Sequence, residues 1–223
     1  MARFGLLLLV LTVSCFAATL PPCGPDADAY KRFLNQGEPY SLAACVGVDP
    51  KQYFEETKLD LEQTPTDWEA VRLQRMWIVA KAALEADMRE EAKAYADQAL
   101  ALAAEGRFKN APVPSSYAEA EGDAVFVGNL VLGRLALLRD DVEAAEMYLL
   151  RSGQIKAGQP TFWGPNLTLV RELMKRSRTK VVLQFMDEVK QFWREDCHGP
   201  EQADKLTQSI LAGKLPSRSL AYF

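Results

Sequence analysis

The stretch Val127–Gly153, "VGNLVLGRLALLRDDVEAAEMYLLRSG", decides how this chain is read. Apolar residues recur every three or four positions on either side of Asp140 and Asp141, the spacing of a helix with one buried face. Two helices separated by so short a turn must fold back on one another. Leu132, Gly133 and Ala136 then oppose Ala145, Leu149 and Ser152, with Gly133 and Ala145 twelve residues apart.

The same unit recurs outward in both directions. Upstream, "DWEAVRLQRMWIVAKAALEA" and "REEAKAYADQALALAAEG" set Val79, Ala80 and Ala83 against Ala92, Ala96 and Ala99, again with twelve residues from Ala80 to Ala92. Downstream, Leu169, Val170 and Leu173 oppose Val182, Met186 and Val189, with the same twelve from Val170 to Val182. Small residues at these points let helices approach closely, and the large ones beside them fill the grooves between hairpins. This alternation resembles tetratricopeptide repeats, which stack at about 34 residues. Here the second and third units are 37 apart and the first and second 53 apart, the excess lying in a loop from Gly106 to Asp123 with two prolines. Val170 stands where a small residue is expected. "EQADKLTQSILAGKLP" reads as a final helix with Leu206 and Ile210 inward and Gly213 as its stop, and the tail "SRSLAYF" ends on aromatics that fold back.

The segment from Gly128 to Tyr222 also resembles the C-terminal half of a group of bacterial tetratricopeptide-like proteins mostly described as hypothetical. The matching residues are "GN..LG..AL" from Gly128, "LL.SG" from Leu149, "F.GPN..L..EL" from Phe162, Phe192 with Trp193, and "I..GK.P" from Ile210. Asp140 departs from the pattern, which tends to have Gly before Asp. The resemblance implies the fold and carries no activity. The expected fold is therefore all-α: antiparallel helical hairpins stacked as a short tetratricopeptide-like array, with short N-terminal helices and a C-terminal capping helix.

Residues 1–17, "MARFGLLLLVLTVSCFA", read as a secretory signal peptide with one basic residue, Arg3, ahead of an uncharged run too short to span a bilayer. Residues 18–65 form a segment of short helices and turns, and residues 66–223 the repeat domain. The expected location is secreted or periplasmic. The alternative is a lipoprotein leader cut before Cys15, which places an acylated Cys15 in the cell envelope, the one route by which this chain meets a membrane. Removing the leader takes away Arg3 and no acid, leaving 25 basic residues against 30 acidic ones and a net charge of −5. That balance points away from nucleic acid. Three cysteines follow the leader, and they allow three pairings. The nearest pair, Cys23 with Cys45, is the natural bridge in an oxidising compartment, closing a loop worth about 3 kcal/mol in chain entropy. The spacing matches no zinc pattern, and His198 is the one histidine, so no metal or cofactor is expected.

The candidate site is "GQPTFWGPNLTL", Gly158–Leu169. Pro165 suits the first turn of a helix and Gly164 the approach to it, so the stretch starts the third hairpin. As a site, Phe162, Trp163 and Asn166 line the groove between the second and third hairpins with Asn129 across from them, rings giving binding area and amides gripping a peptide backbone. "NLT" also fits a glycosylation acceptor, which a place in a helical first turn disfavours. The cluster "KRSRTK", Lys175–Lys180, is a turn favouring the end of the preceding helix, or a dock for an acidic partner or anionic lipid headgroups. "CHG", Cys197–Gly199, lacks the third orienting group of a nucleophilic site. No phosphate loop, nucleophile elbow or histidine pair is present, which points away from an enzyme. The reading is a scaffold for a protein or extended peptide. The alternatives are a hydrolase of envelope polymers using carboxylates such as Glu55, Glu56, Asp60 and Glu62, and a structural envelope lipoprotein.

Overall fold

The computed structural model describes residues 49–106 and 119–216, apart from the side chains of Phe162 and Trp163, and every regular element among them is helical. The chain is all-α in the described residues. The leader, Cys15, Cys23, Cys45, most of the 18–65 segment, the loop 107–118 and the tail 217–223 lie outside them.

Helix α1 spans Pro50–Gln63, fourteen residues where short pieces are expected. Asp49 caps it by accepting the amides of Lys51 and Gln52 at 2.9 and 3.2 Å, Pro50 opens it, and neither proline nor glycine interrupts it. Phe54 and Leu61 are buried, and the helix packs on α2 (Glu69–Glu85). There follow α3 (Arg89–Ala104), α4 (Ala120–Leu138), α5 (Val142–Ser152), the single turn α6 (Pro160–Trp163), α7 (Thr168–Lys175) and α8 (Thr179–Phe192). A 3-10 turn, Glu195–Cys197, leads to α9 (Gly199–Leu211).

Helix α2 packs on α3, α4 on α5 and α7 on α8, while α4 also lies against both α2 and α3. Helix α9 closes on α8. The register expected of the three units is one of buried residues: Ala80, Ala83, Ala92, Ala96 and Ala99 in the first, Ala136, Ala145 and Leu149 in the second, and Val170, Leu173, Val182 and Met186 in the third. Gly133 explains the need for small residues directly. A Cβ there would fall 3.3 Å from Tyr148 Cβ, 3.6 Å from the Ala145 carbonyl and 2.5 Å from Leu169 Cδ2.

The turns repeat as well. Asp87, Asp140 and Ser177 take left-handed φ values of 57°, 60° and 61°. The amide after each donates to a carbonyl five residues back: Met88 to Ala83, Asp141 to Ala136 and Arg178 to Leu173. This is the six-to-one bond of a Schellman stop, usually built with glycine at the left-handed position. These three fall at the 53- and 37-residue offsets of the side-chain register, and the same bond also forms after His198, from Gly199 to Arg194, and after Gly213, from Lys214 to Ser209.

Two boundaries differ from expectation. Helix α4 begins at Ala120, so Gly122 and Asp123 belong to its first turn and not to the preceding loop. It is buried on nearly every side because four other helices surround it, which removes the amphipathic signal that marks a helix start. Helix α7 begins at Thr168, so Pro165 and Asn166 precede it and do not form its first turn. Asn166 Oδ1 accepts the Thr168 amide at 2.9 Å, an Asx turn that leads into the helix in place of the proline start.

Candidate binding cleft

Helices α2, α4 and α7 meet along a narrow cleft. Lys81, Leu84 and Glu85 form one wall, Asn166, Thr168 and Leu169 the other, and Val127, Leu130, Val131 and Arg134 the floor. The enclosed volume is about 40 Å³, room for a water or the tip of one side chain, so the feature is a crease and not a chamber.

Its electrostatics are unusual for an apolar crease. Lys81 Nζ lies 3.8 Å from Glu85 Oε1 one turn along α2, and both side chains are about nine-tenths buried. Breaking a buried pair of this kind strands a charge and costs about 3–5 kcal/mol. Arg134 reaches across from α4 to α7, its Nε 3.6 Å from Glu172 Oε1. That separation exceeds a hydrogen bond, and Arg134 Nε is buried without a hydrogen-bond partner.

The expected site residues are thus partly brought together. Asn166 lines the crease and is 7% exposed. Asn129 does not line it: the side chain is buried and its Nδ2 donates to the Val125 carbonyl one turn back at 2.7 Å. Phe162 and Trp163 occupy the single turn α6, and their side chains lie outside the description. The residue that explains "GPN" is Trp193, 3% exposed. Gly164 has a left-handed φ of 85°, and a Cβ there would lie 2.6 Å from the Trp193 ring; one at Gly199 would lie 2.4 Å from it. Two glycines thus clamp the indole, which locks the segment before α7 to the segment before α9.

A second carboxylate site is missed by sequence patterning. Asp123 is 2% exposed, and its Oδ1 accepts the Gln159 amide at 2.6 Å. The connection from α5 to α6 lies directly on the first turn of α4, because a Cβ on Gly122 would fall 1.8 Å from the Ala157 carbonyl and one on Gly158 2.7 Å from Asp123 Oδ1. Burial pushes the Asp123 carboxyl up to about 7, against the lowering by the Gln159 amide and reinforced by the neighbouring Glu119. The signal was there in two glycines separated by 35 residues, legible once they are known to touch.

The outer face carries a wider groove between α5 and α8, about 490 Å³, with Met147 and Val181 at its base. Arg178 of the basic cluster binds Glu146 across it and lies 3.8 Å from Glu143. Arg176 donates to the Glu172 carbonyl, so the cluster does not form one common patch. In "CHG", Cys197 is buried and His198 exposed at a left-handed φ of 54°, so the two do not share an environment. Of the carboxylates in α1, Asp60 pairs with Arg75 at 2.5 Å. Among the described residues no three His, Cys, Asp or Glu side chains gather as metal ligands would, and no helix is long and apolar enough to cross a membrane. Compared with family models, curated proteins and solved structures, the chain matches none.

Proposed function

We propose that this chain is an exported helical-repeat scaffold of the tetratricopeptide-like kind, holding an extended segment of a partner protein along the crease between α2, α4 and α7. The observation that carries the reading is Arg134: its Nε is buried without a hydrogen-bond partner, with Glu172 3.6 Å away, at the floor of a largely apolar crease that Asn166 also lines. An extended peptide supplies a backbone carbonyl at regular intervals and side chains to cover Leu130 and Leu169, which matches that mixture. The repeated turns and the small-residue register support stacked hairpins as the frame. The leader-like residues 1–17 support export.

The test is selection of peptides from a displayed random library on the full chain, followed by binding to variants. Arg134→Glu and Leu84→Asn should each weaken the selected peptides, while Met147→Glu in the outer groove should not. Folding of every variant is checked by circular dichroism and thermal melting. Selected peptides that bind the crease variants as well as the wild type would remove the crease from consideration.

A further inference from the structure

We infer that the side chain this crease selects in its partner is a primary carboxamide, that of asparagine or glutamine, bridging Arg134 and Glu172. The inference rests on the reading of the crease as a peptide site and names the chemistry that the site recognises. Glu172 follows Thr168 by one turn of α7, so it extends the wall that Thr168 and Leu169 form. Arg134 rises opposite it from the floor on α4, with Nε 3.6 Å from Glu172 Oε1. The two are in ion-pair range but not hydrogen-bonded, and their side chains are 33% and 30% exposed, so the pair is open to an incoming group. A donor and an acceptor thus stand side by side at the mouth of a space that admits one side-chain tip.

Few groups answer both at once. In a primary amide the oxygen and nitrogen lie about 2.2 Å apart, and an acceptor for the guanidinium and an N–H for the carboxylate face the same way. Two bonds of about 2.9 Å then spread only slightly to reach atoms 3.6 Å apart. A backbone peptide group fails this test, because its trans geometry points C=O and N–H in opposite directions. It satisfies Arg134 and leaves Glu172 unanswered. A hydroxyl has to meet both partners through one oxygen, at an acute angle. Charged tips are disfavoured by the surroundings, where Lys81 and Arg134 stand against Glu85 and Glu172. A carboxylate that gains Arg134 also meets Glu85 and Glu172, and an ammonium that gains Glu172 also meets Lys81 and Arg134. The amide brings no net charge to either, and its methylene stem covers Leu130 and Leu169.

The experiment selects peptides from a displayed random library on the full wild-type chain and on two variants, Glu172→Lys and Arg134→Glu, each checked for folding by circular dichroism. Wild-type selections should be enriched in Asn or Gln at one position. Glu172→Lys sets two cations together and should turn that position to Asp or Glu, whereas Arg134→Glu sets two carboxylates together and should turn it to Lys or Arg. In a peptide synthesised from the wild-type selection, replacing the amide residue by Met or Leu should weaken binding roughly tenfold in fluorescence anisotropy, the size of one hydrogen bond to a charged group. This second measurement uses the wild-type protein and does not depend on the folding of a variant. Equal binding of the substituted peptide overturns the inference, since a water then serves the pair; so does a residue preference that the two variants leave unmoved. Peptides that lose affinity on Leu84→Asn yet show no amide preference sink the carboxamide and leave the crease reading standing. A selection that returns no peptide sensitive to Leu84→Asn or Arg134→Glu sinks both.

Discussion

The first helix pair, α2 with α3, and the third, α7 with α8, share a register but not a material. Between α2 and α3 the contact is alanine on alanine: Ala80, Ala83, Ala92, Ala96 and Ala99 are all at zero exposure. Side chains this small bring two helices of 17 and 16 residues together along their length, and α1 and α4 pack extensively on the pair. In the third pair Leu169, Val170 and Leu173 meet Val182, Phe185 and Met186, and α7 is only eight residues long. Two turns of helix do not persist alone. The third pair borrows its stability: the Asx turn at Asn166, the Trp193 clamp and the Arg171 bond to Pro216. The lesson is that one register serves two opposite dependences. The first pair should fail when volume is added, the third when an outside support is removed.

The largest effect should come from the clamp. Trp193→Ala leaves a hole between Gly164 and Gly199 and should lower unfolding free energy by about 3–5 kcal/mol in denaturant titration. A loss below ~1 kcal/mol would mean that the third pair stands without the clamp, and the comparison would break.

The next test concerns the connection that feeds the third pair, and it depends on pH. Asp123 has a folded-state value of about 7 against an ordinary value of 3.8. Between these the folded chain holds a proton that the unfolded chain has lost. This contribution to stability is therefore full below about pH 4, falls as pH rises towards 7 and is flat above it. The span corresponds to at most about 4 kcal/mol. Asp123→Asn keeps an acceptor for the Gln159 amide and removes the charge, so at pH 8 it should melt higher than the wild type, with the gap closing near pH 4. Asp196 and Glu201 are lowered by hydrogen bonds from Arg194 and Lys205 and act in the opposite sense at lower pH. The difference between the two chains, and not either curve alone, is the measure. A gap that does not change with pH would show that Asp123 stays ionised throughout.

The first pair is probed by excess. Ala96→Leu should lose about 1–3 kcal/mol by overpacking, whereas Leu183→Met, on a half-buried position of α8, should change stability by less than ~1 kcal/mol. If Ala96→Leu proves neutral, the alanine contact is not close. The smallest effect belongs to the feature that all three pairs share. Asp140→Gly relieves a left-handed side chain at φ 60° and should gain up to about 1 kcal/mol in thermal melting, a gain absent at Asp141, whose φ is −85°.

Much of this was legible beforehand, and for a physical reason. Helical periodicity is a local property, so the helices from α2 onward, apart from the single turn α6, and the small residues at twelve-residue separation could be read from the chain. Asp140, where glycine is more usual, even marked the left-handed turn. What resisted reading depended on segments meeting from far apart. The start of α4 was hidden because a helix enclosed on all sides has no polar face to mark its edge. Asn129 and Asn166 are alike in sequence, yet one is turned onto its own helix and the other lines the crease. Arg134 and Asp123 showed no pattern at all, since a charge becomes unusual only when distant residues close over it.

The sequence by itself determined the longer helices from α2 onward and the places where the chain turns back, because each of these is set by neighbours within a few turns. Only the tertiary structure decided which carboxylate is buried, which glycines press on Trp193 and which face of α4 lies open as a crease. Burial and shape are sums over residues that have no proximity until the fold supplies it.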